Sequence, residues 1–305
     1  MDIAKKVDKE KTDKLRIWME ENNIYAGINI DEDTKRYYPY NNLASHLLGF
    51  CGTDNQGLYG IEQKYENVLK GVPGKIVTTK GANNVELPIE SETYINAEDG
   101  LNLVLSIDEV VQHIAEKHLQ QAIEETKCEE GGSIIVMRPK TGEILAMAGK
   151  QIVLSGDAYK IYDYTPGIFT TSVVAGSVVK GASQIVGYNN DALEMGEIRD
   201  DSCIKIAATP LKCSWKYLGK IDDIEALKQS SNTYQFNTAI NVGKGKYVYD
   251  RPIALDNNAF NIYRDTFKEF GLGVKTGIDL PNESLGYKGN NRLSGFLLDF
   301  SILYL

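Results

Sequence analysis

The sequence predicts an α+β protein of roughly two domains, and three observations carry that expectation. The chain has 305 residues, 42% of them hydrophobic and 25% charged, which is ample apolar material for a sizeable core. Alternating and helical hydrophobic patterns follow one another through residues 60–148. From about residue 175 the patterned segments are mostly helical. Several function classes drop out at this level. The formal net charge of −9 argues against a nucleic-acid surface, which needs a basic stripe. No apolar run approaches the roughly 18 residues of a membrane span. The longest candidate, GFLLDFSILYL, is interrupted by Asp299. The N-terminal MDIAKKVDKEKTDKL lacks the apolar segment of a signal peptide, so an extracytoplasmic role would need an anchor outside these residues.

Taken in order, residues 4–22 read as a charged amphipathic helix with Ile3, Val7, Leu15, Trp18 and Met19 as apolar positions. Residues 42–50 read as a short helix capped by an asparagine. A helix over 60–70 ends at Gly71 and Pro73, the expected stop order. GKIVTTKG and VELPIE alternate like the two strands of a hairpin. LNLVLSI, 101–107, alternates strictly and reads as a strand. Asp108 then caps a long helix, EVVQHIAEKHLQQAIEET. GGSIIVMRPKTGEILAMAG is a hairpin signal, with runs 134–137 and 144–148 joined through RPKTG. Residues 149–174, rich in Gly, Thr and Tyr, read as loop. A polar region extends to about 222. DIEALKQSSNTYQFNTAINVG is helical at both ends with Ser-Ser-Asn between, YRDTFKEFGLG is a helix with a glycine stop, and TGIDLPNES is a turn.

Cys51, Cys128, Cys203 and Cys213 are scattered without a Cys-x-x-Cys spacing, which argues against zinc. Cys203 and Cys213 could pair, but the expectation is four free thiols. His113 and His118 are five apart on the long helix and miss the i,i+4 spacing of a metal pair, and His46 stands alone. Neither a metal nor a nucleotide cofactor is indicated.

The chemistry gathers in AGSVVKGAS, 175–183. Ser177 and Lys180 are three apart, hence on one face if the run is helical. An amine held in an apolar pocket loses part of its preference for the charged form, and a neutral amine beside a serine hydroxyl can act as its base. The alternative is a core helix whose lysine snorkels to water. Ser-x-x-Lys is weak by itself, since about one match is expected by chance in a chain this long. A second match, Ser202–Lys205, lies in the aperiodic polar region where no helix aligns the pair. Ser230-Ser231-Asn232 strengthens the first. A serine and a carboxamide one residue apart at a helix–helix turn can share a cleft, the serine relaying a proton and the amide holding a substrate carbonyl and N–H. The alternative is a polar linker or helix cap.

Ser-x-x-Lys with Ser-x-Asn is a signature of penicillin-interacting serine enzymes, and longer stretches extend the match. The chain resembles a class B penicillin-binding protein, the monofunctional peptidoglycan D,D-transpeptidase type. YYPYNNLASHLLGF and NQGLYGIEQKYENVLKGVPGK resemble that family's non-catalytic pedestal. LVLSIDEVVQHIAEKHL resembles the entry to its transpeptidase domain, GSIIVMRPKTGEILAMA its first strand pair, and FGLGVKTGIDLPNES the segment after Ser-x-Asn. The resemblance implies a pedestal over residues 1–98 and, over 99–305, the N-terminal part of a penicillin-binding/serine β-lactamase-like domain, an antiparallel sheet with helices. It implies Ser177 as the nucleophile toward the penultimate D-alanine carbonyl of a stem peptide, with Lys180 taking its proton. Ser230 would pass a proton toward the leaving group, and Asn232 would hold the acyl donor. The Ser177 N–H would form half of an oxyanion hole, worth about 3–4 kcal/mol. Implied partners are the D-Ala-D-Ala stem peptide, β-lactam antibiotics acylating the same serine, and proteins of cell-wall synthesis or division. The implied location is the extracytoplasmic face of the bacterial membrane.

The chain also departs from the family pattern. The family's third motif, Lys-Thr/Ser-Gly on an edge strand, has two candidates and neither suits. Lys140-Thr141-Gly142 falls in the hairpin turn, and Lys275-Thr276-Gly277 follows Asn232 too soon and runs into a proline turn. The expectation is a chain cut at both ends relative to the family. The usual Tyr-Glu-Pro-Gly lead into the nucleophile is missing, and Val178, Val179 and Gly181 are poor helix formers, so helix there depends on packing. Two other readings stay open: a non-catalytic module binding cell-wall partners, and a serine β-lactamase or β-lactam sensor, which the pedestal-like first hundred residues disfavour.

Overall fold

A computed structural model describes residues 3–24, 27–31, 33–77, 93–155, 158–172 and 175–286. The chain divides into two compact units. The first is Met1–Phe169 with Asp279–Asn282; the second is Thr170–Ile278 with the residues from Glu283. Among the described residues no helix is long and apolar enough to cross a membrane.

In the first unit, α1 spans Lys9–Glu21 and buries none of its residues. It starts later than the pattern predicts, because Lys6 is left-handed at φ +55 and Asp8 is extended, which keeps the backbone out of helix before Lys9. α2, Ser45–Leu48, takes no side-chain cap from an asparagine. A remote carboxylate replaces it: Ala44 N–H donates to Glu116 Oε1 at 2.8 Å. The predicted 60–70 helix is broken at Tyr65 into α3, Gly60–Lys64, and α4, Glu66–Leu69. Gly60 has φ +59, and a Cβ there would meet Leu47 O at 2.5 Å, so the turn requires glycine. β1, Lys75–Val77, pairs antiparallel with β2, Thr93–Ile95. The pairing partner therefore lies beyond VELPIE, which is outside the described residues.

Residues 101–107 keep the predicted alternation, with Leu103, Leu105 and Ile107 half-buried, but no ladder forms along them, so they are extended chain and not a strand. Ser106 Oγ–H donates to Ile144 O, and Asp108 N–H to Leu145 O, which anchors the segment's end. Asp108 caps α5, Glu109–Thr126, accepting from Val110 N and Val111 N. One face of α5, Ala115, Leu119 and Ile123, is buried against Ala146 and Ala148 of the sheet behind it. Gln112 is fully buried on the same face. Its amide donates to Met147 O and accepts from Met147 N, so the side chain acts as one more rung of hydrogen bonding on the sheet.

That sheet has the order β3-β4-β5, all antiparallel: β3 Gly131–Met137, β4 Ile144–Ser155, β5 Ala158–Asp163. The β3–β4 turn is closed by Arg138 N–H to Glu143 O, and it holds Lys140-Thr141-Gly142. β5 and the extension of β4 correct the expected loop. Their apolar signal is weak because Tyr159 and Tyr162 face solvent while Ile152 and Ile161 reach the core. A short helix, α6, covers Gly167–Thr170.

The second unit is mostly helical, with α7 Lys180–Asn189, α8 Asp223–Lys228, α9 Asn232–Val242 and α10 Ala259–Glu269. A 3-10 turn, Gly176–Val179, leads into α7. The core joins Val179, Val186, Phe236, Ile240 and Phe267. The predicted polar stretch to 222 contains structure the pattern misses. β6, Arg199–Asp200, pairs with β7, Lys220–Ile221, and Ile204 pairs with Lys212 across an isolated bridge. Ile204 and Lys212 exchange both backbone hydrogen bonds at 2.9 Å. Their outer neighbours therefore form a non-hydrogen-bonded pair, the position where facing Cα atoms approach most closely. Those neighbours are Cys203 and Cys213, with Cα atoms 4.4 Å apart and joined as a disulfide. Four free thiols is thus corrected to two, Cys51 and Cys128. Closing a loop of this length stabilises by about 3 kcal/mol. The Cys203→Ala/Cys213→Ala variant is expected to lose that much in urea unfolding, and an unchanged midpoint would show that the bond adds nothing.

Candidate active site

Three elements converge on the amine of Lys180. The first is the 3-10 turn and the start of α7. Val179 and Lys180 turn inward, 5% and 2% exposed, while Ser177 and Val178 face outward. Lys180 N–H bonds back to Ser177 O, so the two residues are consecutive rungs of one turn. The first N–H groups of such a turn have no partner within it, and Ser177 is among them. The run is poor in helix formers, and Val179 in the core supplies the packing that holds it.

The second element is the end of α8. Ser230 N–H bonds to Leu227 O and Ser231 N–H to Ala226 O. That is the two-bond pattern of a Schellman stop, with Ser230 in the left-handed position at φ +54 that glycine usually takes. The third is the start of α9. Ser231 is its cap, accepting from Tyr234 N–H at 3.0 Å, and Asn232 is its first residue. Two helix ends back to back thus present Ser230 and Asn232 on one side.

Lys180 Nζ donates to Ser230 O at 2.7 Å, to Ser230 Oγ at 3.0 Å and to Asn232 Oδ1 at 2.6 Å. An ammonium has three protons, and these partners account for all three. Burial pushes the amine down from 10.5 to about 8, partly opposed by the Asp201 carboxylate. The structure therefore brings Lys180, Ser230 and Asn232 together. Among the described residues no hydrogen bond joins Ser177 Oγ to any of them. The other Ser-x-x-Lys pair does not meet: Ser202 bonds to Asp200, and Lys205 to Thr209 O. Lys275-Thr276-Gly277 lies in no strand, and Thr276 is held by Glu283 Oε1 through both its N–H and its hydroxyl.

Sequence reasoning misses the layer behind these groups. Asp201, 3% exposed, accepts from Ser231 Oγ and Ser214 Oγ, and Ser214 Oγ in turn accepts from Asn232 N–H and Thr233 N–H. Asn232 Nδ2 donates to Cys213 O at 3.4 Å. A buried carboxylate in an otherwise polar, aperiodic stretch carries no spacing signal, which is why it escapes notice.

Comparison with known proteins follows the same line. Residues 132–303 match the penicillin binding protein transpeptidase domain, and residues 1–105 match the penicillin-binding protein dimerisation domain. The chain is 38% identical over 305 residues to penicillin-binding protein 2A of Bacillus subtilis, covering 90% of this chain and 42% of that protein. It is 29% identical to the peptidoglycan D,D-transpeptidase FtsI of Escherichia coli, covering 85% of this chain and 41% of FtsI. Among solved structures, penicillin-binding protein 2B of Streptococcus pneumoniae superposes with a TM-score of 0.66 at 28% identity, covering 86% of this chain and 45% of that one. The chain thus spans less than half the length of these relatives. With the transpeptidase match running over more than half of its residues, and a Ser-x-x-Lys lysine seated on a Ser-x-Asn turn, the chain belongs to the penicillin-binding protein transpeptidase family.

Proposed function

We propose that the protein this chain belongs to is a peptidoglycan D,D-transpeptidase working through an acyl-serine intermediate. The observation that carries the reading is the buried Lys180 amine, held by Ser230 and Asn232 one helical turn from an exposed Ser177. In the proposed reaction Ser177 Oγ bonds to the penultimate D-alanine carbonyl carbon of a D-Ala-D-Ala stem peptide. The serine proton passes to the neutral Lys180 amine. The C–N bond to the terminal D-alanine then breaks, and that amine leaves with a proton delivered through the Ser230 hydroxyl. An incoming amine of a second stem peptide takes the acyl group in the reverse sense. Asn232 offers its carboxamide to the acyl donor, and the Ser177 N–H one oxyanion contact. Catalytic hydrogen bonds are often long in a free enzyme and tighten with substrate, which fits a Ser177 hydroxyl not yet bonded to the amine.

Residues 1–98 are proposed as the pedestal, a surface for protein partners of cell-wall synthesis, with 99–305 contributing to the catalytic domain. The proposed place of work is the extracytoplasmic face of the bacterial membrane. The reading is tested by exposing the protein to a fluorescent penicillin and measuring intact mass, then locating the label. A stable adduct on the peptide carrying Ser177 is expected. No adduct on a folded protein would favour the non-catalytic module, a reading consistent with a Ser177 hydroxyl that makes no hydrogen bond to Lys180, Ser230 or Asn232. Rapid turnover of the drug would indicate a β-lactamase.

A further inference from the structure

We propose that Asp201 is a positioning residue for the Lys180–Ser230–Asn232 cluster, fixing the first turn of α9 through Ser231 and Ser214, with its carboxylate in the layer behind the buried amine. The inference rests on the reading of Lys180 as the base of the reaction.

The geometry is a relay of hydroxyls. Asp201 Oδ1 accepts from Ser231 Oγ and from Ser214 Oγ, the latter at 2.8 Å, and Oδ2 accepts from Leu218 N–H at 3.3 Å. Each hydroxyl passes its lone pairs on to the helix. Ser231 Oγ accepts from Tyr234 N–H at 3.0 Å, and Ser214 Oγ from Asn232 N–H at 3.0 Å and Thr233 N–H at 3.2 Å. Three first-turn amides of α9 are thereby tied to one carboxylate, at the end of the helix where the dipole favours an anion. Asn232 springs from that turn, and its Oδ1 is one of the three acceptors of Lys180. Where Asp201 sits therefore decides where the carboxamide points.

A neutral cap would satisfy the same amides without the desolvation cost of a buried charge. The charge has a second use. Among the titratable groups near α7, Asp223 and Tyr188 bond each other toward the far end of the helix, Arg199 is paired with Glu197, and Tyr263 of α10 adjoins Ser183. Among the described residues, the Asp201 carboxylate is the charge that opposes the effect of burial on the amine.

The experiment uses the protein with ¹³C,¹⁵N-labelled lysine, following the Lys180 side chain by NMR against pH, with amide exchange at α9 and the pH profile of β-lactam acylation alongside. Asp201→Asn keeps an acceptor but removes the charge, and the Lys180 midpoint is expected to fall by about one pH unit, with the acylation profile moving the same way. Asp201→Glu is expected to restore the midpoint. Ser214→Ala keeps the charge and removes the relay: the midpoint is expected to stay, while the Asn232 and Thr233 amides exchange roughly tenfold faster, the loss of about one hydrogen bond. A folded Asp201→Asn protein with an unmoved Lys180 midpoint overturns the proposal. Should Asp201→Asn fail to fold, native-like exchange at Asn232 and Thr233 in Ser214→Ala overturns it instead. If the native protein forms no β-lactam adduct, the functional reading fails while the lysine titration still decides the role of Asp201.

Discussion

Replacing Lys180 with arginine or methionine is expected to lower the rate of β-lactam acylation roughly a thousandfold, the scale of a lost general base. The two variants separate chemistry from structure. Arginine stays protonated at any accessible pH, so it cannot accept the serine proton, yet it still offers donors to Ser230 O, Ser230 Oγ and Asn232 Oδ1. Methionine fills much of the same buried volume but leaves those three acceptors without a donor, which costs about 1–3 kcal/mol. Both variants are expected to show that loss of rate, and only Lys180→Met is expected to unfold early. The proposed base carries a further signature. Burial disfavours the ammonium and brings its pKa from 10.5 to about 8. Below that pH the neutral base falls about tenfold per unit; above it the supply of base is constant. The acylation rate is therefore expected to rise with pH up to about 8 and then level off, as stopped-flow fluorescence between pH 6 and 10 would show. Geometry points the same way. The ammonium spends all three protons on its three partners. Deprotonation leaves two, so one partner is released and a lone pair becomes free to turn toward Ser177. A flat pH profile, or acylation of Lys180→Arg at the native rate, would remove Lys180 from the chemistry.

What the sequence discloses about this molecule follows the strength of local signals. α5 is legible because Asp108 caps it and Ala115, Leu119 and Ile123 repeat every four residues; the fold buries those positions. The turn holding Ser230 and Asn232 is legible for a similar reason, lying between two helical patterns that α8 and α9 realise. Residues 101–107 mislead because alternation reports which side chains are half-buried, not whether a neighbouring strand exists to pair with. β5 is hidden by the exposure of Tyr159 and Tyr162, which blurs its period. The disulfide and Asp201 are invisible for a deeper reason. Both depend on one bridge, Ile204 to Lys212, and on β6–β7 pairing, contacts that bring residues 199–221 into register without any hydrophobic repeat. Cooperative placement of polar groups leaves little trace in one dimension, and here it builds the wall behind the candidate site.

The left-handed backbone at Ser230 leads to an expectation that runs against ordinary intuition: Ser230→Gly is expected to stabilise the fold while disabling the site. A non-glycine residue at φ +54 costs roughly 1–2 kcal/mol relative to the right-handed region, and glycine relieves most of it, less the entropy of a freer unfolded chain. The hydrogen-bond loss is small, because Lys180 keeps the Ser230 carbonyl at 2.7 Å and Asn232 Oδ1 at 2.6 Å, giving up only the hydroxyl at 3.0 Å. The net change is expected to be a gain of up to about 1 kcal/mol. The same substitution removes the hydroxyl proposed to carry the proton to the leaving amine, for which about a hundredfold loss in acylation is expected. Ser230→Ala serves as the control, since it deletes the same hydroxyl but keeps the strained backbone: its activity is expected to match that of the glycine variant while its urea midpoint falls below native. Strained residues that persist at a helix stop are retained where the side chain has work that glycine cannot do. If glycine at 230 proves no more stable than alanine, the strain is not there. If it acylates at the native rate, the hydroxyl has no part in the proton path, and the left-handed serine is a helix stop and nothing more.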